Sequence, residues 1–205
     1  GYGVVFVTEQ NTFFHDGERT YALPDVLSSK HGIFAINDEF YFKVRDLPHL
    51  YTISVANNQG DLRFTQTQLP LTLPKAARVM EILTGVDDSL TIVTEQHGVY
   101  QRIDGVLQQV LAPQAFAEDV RLYDAILSKD GFYYISSTHN GLFILDSSLN
   151  ILRQYFDSDG ISMNTVFSVN EDLQGNVWLT GIPNVVKMRP PHIISQFKAG
   201  NASTE

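Results

Sequence analysis

The sequence predicts an all-β fold made of a repeated four-stranded unit, and three observations predict it. Apolar residues fall in short blocks rich in Val, Ile, Phe and Tyr, separated by Gly, Asn and Asp, which is the pattern of strands joined by tight turns. No window of about a dozen residues keeps the i, i+3, i+4, i+7 spacing of an amphipathic helix free of Gly or Pro; PKAARVMEILTG comes nearest. The third observation is self-similarity. Laying DGFYYISSTHNGLFILD (130–146) beneath QGNVWLTGIPNVVKM (174–188) aligns Gly131 with Gly175, Tyr134 with Trp178 and Asn140 with Asn184, 44 residues apart. DDSLTIVTEQHGVYQRID (87–104) in turn aligns Asp88 with Gly131, Ile92 with Ile135 and Gly98 with Gly141, 43 residues apart. A period near forty residues marks a repeat architecture.

The elements follow in order. VVFVTE, NTFFHDG and RTYAL read as three strands of a first unit whose own first strand is missing. FAIND, EFYFKV, LYTISVA and DLRFTQT form a second and longer unit. VMEILTG, SLTIVTE, GVYQRID and VLQQVL form a third; LYDAILS, FYYISST, GLFILD and NILRQYF a fourth; VFSVNED, NVWLTG, VVKM and IISQF a fifth. The links VDDS, SKDG and DLQG stand between first and second strands, where short Asp- and Gly-rich joints close antiparallel hairpins. Four-stranded meanders at this period are the blades of a β-propeller. About five blades are expected over 1–190, with repeats near 30–75, 79–111, 120–156 and 164–198, and 191–205 is read as an outer strand and a link to a following blade or domain. Ring closure is not evident in the pattern, so the expectation is a part of a larger propeller of about seven blades. Trp178, in a second strand, is expected to fill space against the neighbouring blade.

Composition narrows function. With 205 residues, 43% apolar, 13 Phe and 9 Tyr, the chain can bury a sizeable core. The formal charge is -9, and Arg19, Arg45, Arg63, Arg78, Arg102, Arg121, Arg153 and Arg189 stand singly, so nucleic acid is a poor partner. The absence of cysteine excludes disulfides, thiolate nucleophiles and Cys-ligated zinc. No apolar run reaches the length of a membrane span, and GYGVVFVTEQ lacks the basic start of a secretory signal.

The stretch YFDSDGISMNTVFSVNEDLQGNVWLTG (155–181) resembles the repeat of bacterial two-component regulator propellers. Asp159-Gly160-Ile161, Asn164, Val166, Glu171-Asp172, Gly175 and Val177-Trp178-Leu179 follow that repeat in order, and HNGLFILD matches its continuation one blade earlier. Thr180-Gly181 replaces its Gly-Thr, and Val185 stands where a glycine is usual. The resemblance is closest over 155–188, looser over 120–155 and 79–110, and limited to strand pattern over 1–75. FKAGNASTE resembles a degenerate restart of the next junction. The resemblance implies a periplasmic sensor propeller of a membrane-anchored regulator, non-catalytic itself, attached to a histidine kinase or diguanylate cyclase.

Candidate chemistry sits on the loops. Glu171-Asp172 and Asp87-Asp88 could pair as acid and base, but they fall at hairpin joints and read as turn residues. His15, His31, His49, His97, His139 and His192 show no metal-ligand spacing. No metal or cofactor is expected, and NAS at 201–203 reads as a chance sequon. His97 and His139 occupy nearly equivalent places between second and third strands, on the propeller face that also carries the blade-to-blade connections. The candidate ligand face comprises Glu95, Gln96, His97, Thr138, His139, Asn140, Asn184, Arg121 and Asn164, with Glu9, Gln10, Asn11, Glu118, Asp119, Ser162 and Met163 beside them. Amides, imidazoles and carboxylates suit a small polar ligand, sugar-like or amino-acid-like. Expected partners are that ligand, the adjoining signalling domains and a second copy in a homodimer. A protein-interaction scaffold without a small ligand is the alternative reading, and a propeller glycosidase is a third.

Overall fold

A computed structural model describes residues 4–7, 11–23, 33–36, 39–44, 46–58, 61–85, 89–161, 163–182, 184–189 and 193–198. Asp87, Asp88, Glu9, Gln10, Ser162, Arg45, His31 and His192 lie outside the described residues, as does the NAS sequon. Among the described residues the chain forms five antiparallel sheets whose strand order follows the chain order. The first sheet has three strands, β1 (Val4–Val7), β2 (Thr12–His15) and β3 (Thr20–Ala22). The second has β4 (Ile33–Ile36), β5 (Glu39–Lys43) and the long pair β6 (His49–Asn58) and β7 (Asp61–Thr72). The third holds β8 (Val79–Thr84), β9 (Leu90–Thr94), β10 (Val99–Ile103) and β11 (Val106–Leu111). The fourth holds β12 (Leu122–Leu127), β13 (Tyr133–Ser137), β14 (Leu142–Leu145) and β15 (Ile151–Tyr155), and the fifth β16 (Val166–Glu171), β17 (Val177–Gly181), β18 (Asn184–Arg189) and β19 (Ile193–Lys198). β19 holds the expected outer strand IISQF and runs one residue further, to Lys198.

First strands of consecutive sheets touch, β4 with β8, β8 with β12 and β12 with β16. Sheets two to five are therefore blades fanned about a common axis with the first strand innermost, and with the three-stranded sheet they make a β-propeller of five blades. Each seam between blades is a core of its own. Phe14 packs with Phe42, Tyr51 and Ile53; Leu50 with Ile82 and Ile92; Val93 and Val99 with Phe116, Leu122 and Phe143; Tyr134 and Ile144 with Val166, Val169 and Leu179. Because a second strand has a blade on both faces, every residue of β9 and of β13 is buried. That is why LTIVT and YYISS lack the polar alternation of a half-solvated sheet. Each fully buried side chain of Leu or Ile size contributes about 1.5–3 kcal/mol.

The inner strands share one irregularity. The register shifts between Val79 and Glu81, between Leu122 and Ala125 and between Val166 and Ser168. Val79, Leu122 and Val166 face Thr94, Ser137 and Gly181 respectively, so the bulge recurs at one place in three blades. It brings Tyr123 and Phe167 edge to face, with centroids 5.4 Å apart. It also aligns Glu81, Asp124 and Ser168. The Asp124 carboxylate accepts hydrogen bonds from Ala125 N at 2.9 Å and, across the seam, from Val169 N at 2.8 Å. Glu81 accepts only from its own neighbour Ile82 N, at 3.0 Å among the described contacts. Burial, and next the Asp124 charge, push the Glu81 carboxyl up to about 7.

Candidate functional site

The loop between second and third strands is built the same way in blades three and four. Thr94 Oγ1 donates to Gly98 O and accepts from His97 N; Ser137 Oγ donates to Gly141 O and accepts from Asn140 N. A glutamine on the fourth strand then caps each loop, Gln109 Nε2 donating to His97 O at 2.8 Å and Gln154 Nε2 to Asn140 O at 2.9 Å. Gly98 and Gly141 close the loops at φ 77° and 69°, where a Cβ would run into the Leu111 and Tyr155 carbonyl oxygens. These contacts make His97 the counterpart of Asn140, and His139 that of Gln96. The two imidazoles thus stand one position apart in equivalent loops, as the matching of Gly98 with Gly141 implies.

The fifth blade departs. Thr180 pairs with Val185 as Ser136 pairs with Leu142, so this loop is one residue shorter and Val185 takes the place of Leu142, not of Gly141. No glycine is needed there. Asn184, expected in an exposed loop, is the first residue of β18 and is buried. Met163, expected beside the ligand face, is core.

Blade-to-blade connections meet these loops. Glu95 N donates to Arg78 O, Leu122 N to Glu95 O, Thr138 N to Arg121 O and Gly141 N to Asn164 O, at 2.8–3.0 Å. The Thr165 hydroxyl donates to Thr138 O. One face therefore collects Glu95, Gln96, His97, Arg121, Thr138, His139, Asn140 and Asn164. Of these, Gln96, Arg121, His139 and Asn164 are exposed and the others are partly covered. His139 Nδ1 shares a hydrogen at 2.9 Å with Thr138 Oγ1, and Asn164 Oδ1 accepts from Asp157 N at 3.1 Å. The His97 Nδ1 atom is buried and has no partner among the described residues. Glu95 stands between two guanidinium groups, 3.9 Å from Arg78 Nη1 and 3.8 Å from Arg121 Nη1. Arg78 is not among the candidate residues above, although its equivalence to Arg121, 43 residues on, is visible once Leu122 is matched with Val79. Glu118 and Asp119 are exposed on the connection that leads to Arg121, and Asn11 is exposed just ahead of β2.

The opposite face carries the hairpins between first and second strands. Asp172 is saturated there: it accepts from Gln174 N, Asn176 N, Asn176 Nδ2 and Trp178 Nε1 at 2.8–3.0 Å. The indole N–H first, and then Asn176, hold its carboxyl well below the usual carboxylate range. Trp178 thus ties its own hairpin down, with Lys187 Nζ 5.0 Å from its ring centroid, whereas its counterpart Tyr134 fills the seam between blades. Glu171 Oε2 accepts from Lys129 N of the preceding blade at 3.0 Å. Both carboxylates of the pair serve the hairpins. A cleft of about 420 Å³ opens beside them, lined by Lys129, Asp130, Leu173, Gln174, Asn176 and Arg189 among others. The described residues hold no group of three or more potential metal ligands.

No protein-family model and no curated protein matches the chain. Solved structures do. An extracellular domain assigned to a hybrid two component system of B. thetaiotaomicron superposes with a TM-score of 0.72 at 14% identity, over 96% of this chain and 27% of that one. A streptogramin B lyase superposes with a TM-score of 0.70 at 12% identity, over 96% of this chain and 65% of that one. YCF48 bound to D1 peptide gives 0.63 at 10% identity, over 95% and 64%. The chain spans just under two thirds of the lyase and about a quarter of the extracellular domain. At these identities the likeness is one of fold.

Proposed function

We propose that this chain is a sensing segment of a membrane-anchored signal-transduction regulator: a non-catalytic part of a larger, periplasmic propeller whose loop face takes a small polar ligand. The observation that carries the reading is the loop face itself. Two consecutive blades build one loop by the same side-chain bonds, which fixes its backbone and leaves Gln96, His139, Arg121 and Asn164 turned to solvent. Loops held in place that present polar groups to solvent suit ligand recognition. The cleft on the other face is a poorer candidate, since Asp172, Glu171, Asn176 and Lys129 spend their groups on one another. The resemblance of 155–181 to regulator propellers and the fold shared with extracellular two component domains support the placement outside the cytoplasm. Ligand binding would bias the packing of this segment against adjoining signalling domains, or against a second copy, and so alter output.

A thermal-shift screen of the whole chain against sugars, amino acids and organic acids tests this. Ligand at 100 times its dissociation constant adds about 2.7 kcal/mol, and at about 2–4 °C per kcal/mol the melting point rises by roughly 5–10 °C. The shift is expected to vanish in His139→Ala and to persist in Arg189→Ala, on the cleft. A shift lost only in the cleft variant would place the site on the wrong face. A second reading, a peptide-holding scaffold, is favoured by the fold shared with YCF48 bound to D1 peptide; it predicts no shift with any small molecule.

A further inference from the structure

We infer that the loop face binds its ligand through a carboxylate, held between Arg78 and Arg121; the inference rests on the loop-face reading and adds the chemical class. The two arginines occupy the same place in consecutive blades, each one residue ahead of an inner strand. Their backbones are fixed, because Arg78 O accepts from Glu95 N at 2.9 Å and Arg121 O from Thr138 N at 3.0 Å. Their side chains are not. Each is 53% exposed, and the one ion-pair partner of either among the described residues is the Glu95 carboxylate, at 3.9 and 3.8 Å.

Those separations lie beyond hydrogen-bond length. Glu95 therefore holds the two like charges at one seam without using up their N–H donors. Each guanidinium presents a planar fork of donors suited to a carboxylate. Two arginines and one glutamate leave a single positive charge, matched by one carboxylate rather than by a dianion, at the surface of a chain whose formal charge is -9. Glu118 and Asp119 share the connection with Arg121 but form no ion pair with it. Gln96 and His139 are exposed, each next in the chain to the residue whose N–H bonds the Arg78 or Arg121 carbonyl, and are available for hydroxyl or amide groups on the remainder of the ligand. The class that fits is a hydroxylated or amino-bearing acid of the uronic-acid kind.

The test pairs each acid with its neutral counterpart, galacturonate with galactose, glucuronate with glucose and lactate with lactamide, in calorimetric titrations of the whole chain. Binding by at least one acid and by no neutral counterpart is expected. Arg78→Gln and Arg121→Gln should each weaken the acid about tenfold, and Glu95→Gln, which removes the competing carboxylate, should tighten it several-fold. Since only side chains change and the backbone bonds remain, circular dichroism should be unaltered. If a neutral compound binds as well as its acid, and binding depends on His139 but not on either arginine, the carboxylate inference falls and the loop-face reading stands. If no compound binds, both fall.

Discussion

Replacing Gly141 by alanine tests how the loop face is held, and Gly131 supplies the control. Both glycines have left-handed backbones, at φ 69° and 82°, so either substitution incurs the strain of a side chain in that region, about 1 kcal/mol. They differ in what the new methyl group meets. At Gly131 nothing lies within contact distance, while at Gly141 the Cβ overlaps the carbonyl oxygen of Tyr155 in the paired strand β15. Tyr155 is opposite Leu142 in the ladder and is buried, so its carbonyl cannot step aside without breaking the pairing of β14 with β15. Overlap of this kind adds about 1–3 kcal/mol. Gly131→Ala should therefore lower the melting point by roughly 2–4 °C and Gly141→Ala by roughly 4–16 °C. Thermal melts followed by circular dichroism, and by the fluorescence of the sole tryptophan, Trp178, measure the difference. Equal losses in the two variants would refute the claim that β15 pins the loop.

Three other outcomes follow from the seams and hairpins. Glu81 holds its proton more tightly when folded, with its carboxyl raised from 4.5 to about 7, so its ionisation opposes folding as pH rises through that window. Glu81→Gln should therefore stabilise the chain at pH 8, by up to about 3 kcal/mol, and leave it unchanged near pH 4; a gain at both pH values would remove ionisation as the cause. Asp124→Ala leaves Ala125 N and Val169 N without their acceptor and should cost about 2–3 kcal/mol in urea melts, with Asp124→Asn costing less because an amide oxygen still accepts. Trp178→Phe deletes the largest contribution to the low Asp172 pKa. A depressed carboxyl stabilises above its ordinary range and loses that contribution as pH falls, so the variant should be less stable than the parent at pH 7 and approach it in strong acid, as followed by circular dichroism.

The strand pattern was legible because burial on both blade faces writes itself locally: LTIVT and YYISS are apolar runs between turn residues whatever they pack against. The joints at Gly131 and Gly175 were legible for the same reason, since a left-handed turn selects glycine through its own backbone. The site was legible only in outline. Pattern alone identified the loops with Glu95, His97, His139 and Asn140, but a one-residue difference in loop length separated Asn184 and Val185 from their supposed equivalents and buried Asn184. Trp178 carried no local sign that its indole would turn back to Asp172 rather than toward the next blade.

By itself, then, the sequence determined the element type, the blade period and the turns, all properties of neighbours along the chain. Only tertiary structure decided which groups meet: Arg78, Glu95 and Arg121 at one seam, Asp124 with Val169 at another, and the bulge that aligns Glu81 with Asp124. The reason is geometric. These pairs lie tens of residues apart, and their distances are set by how twisted sheets stack about an axis, a quantity to which no single stretch of residues corresponds.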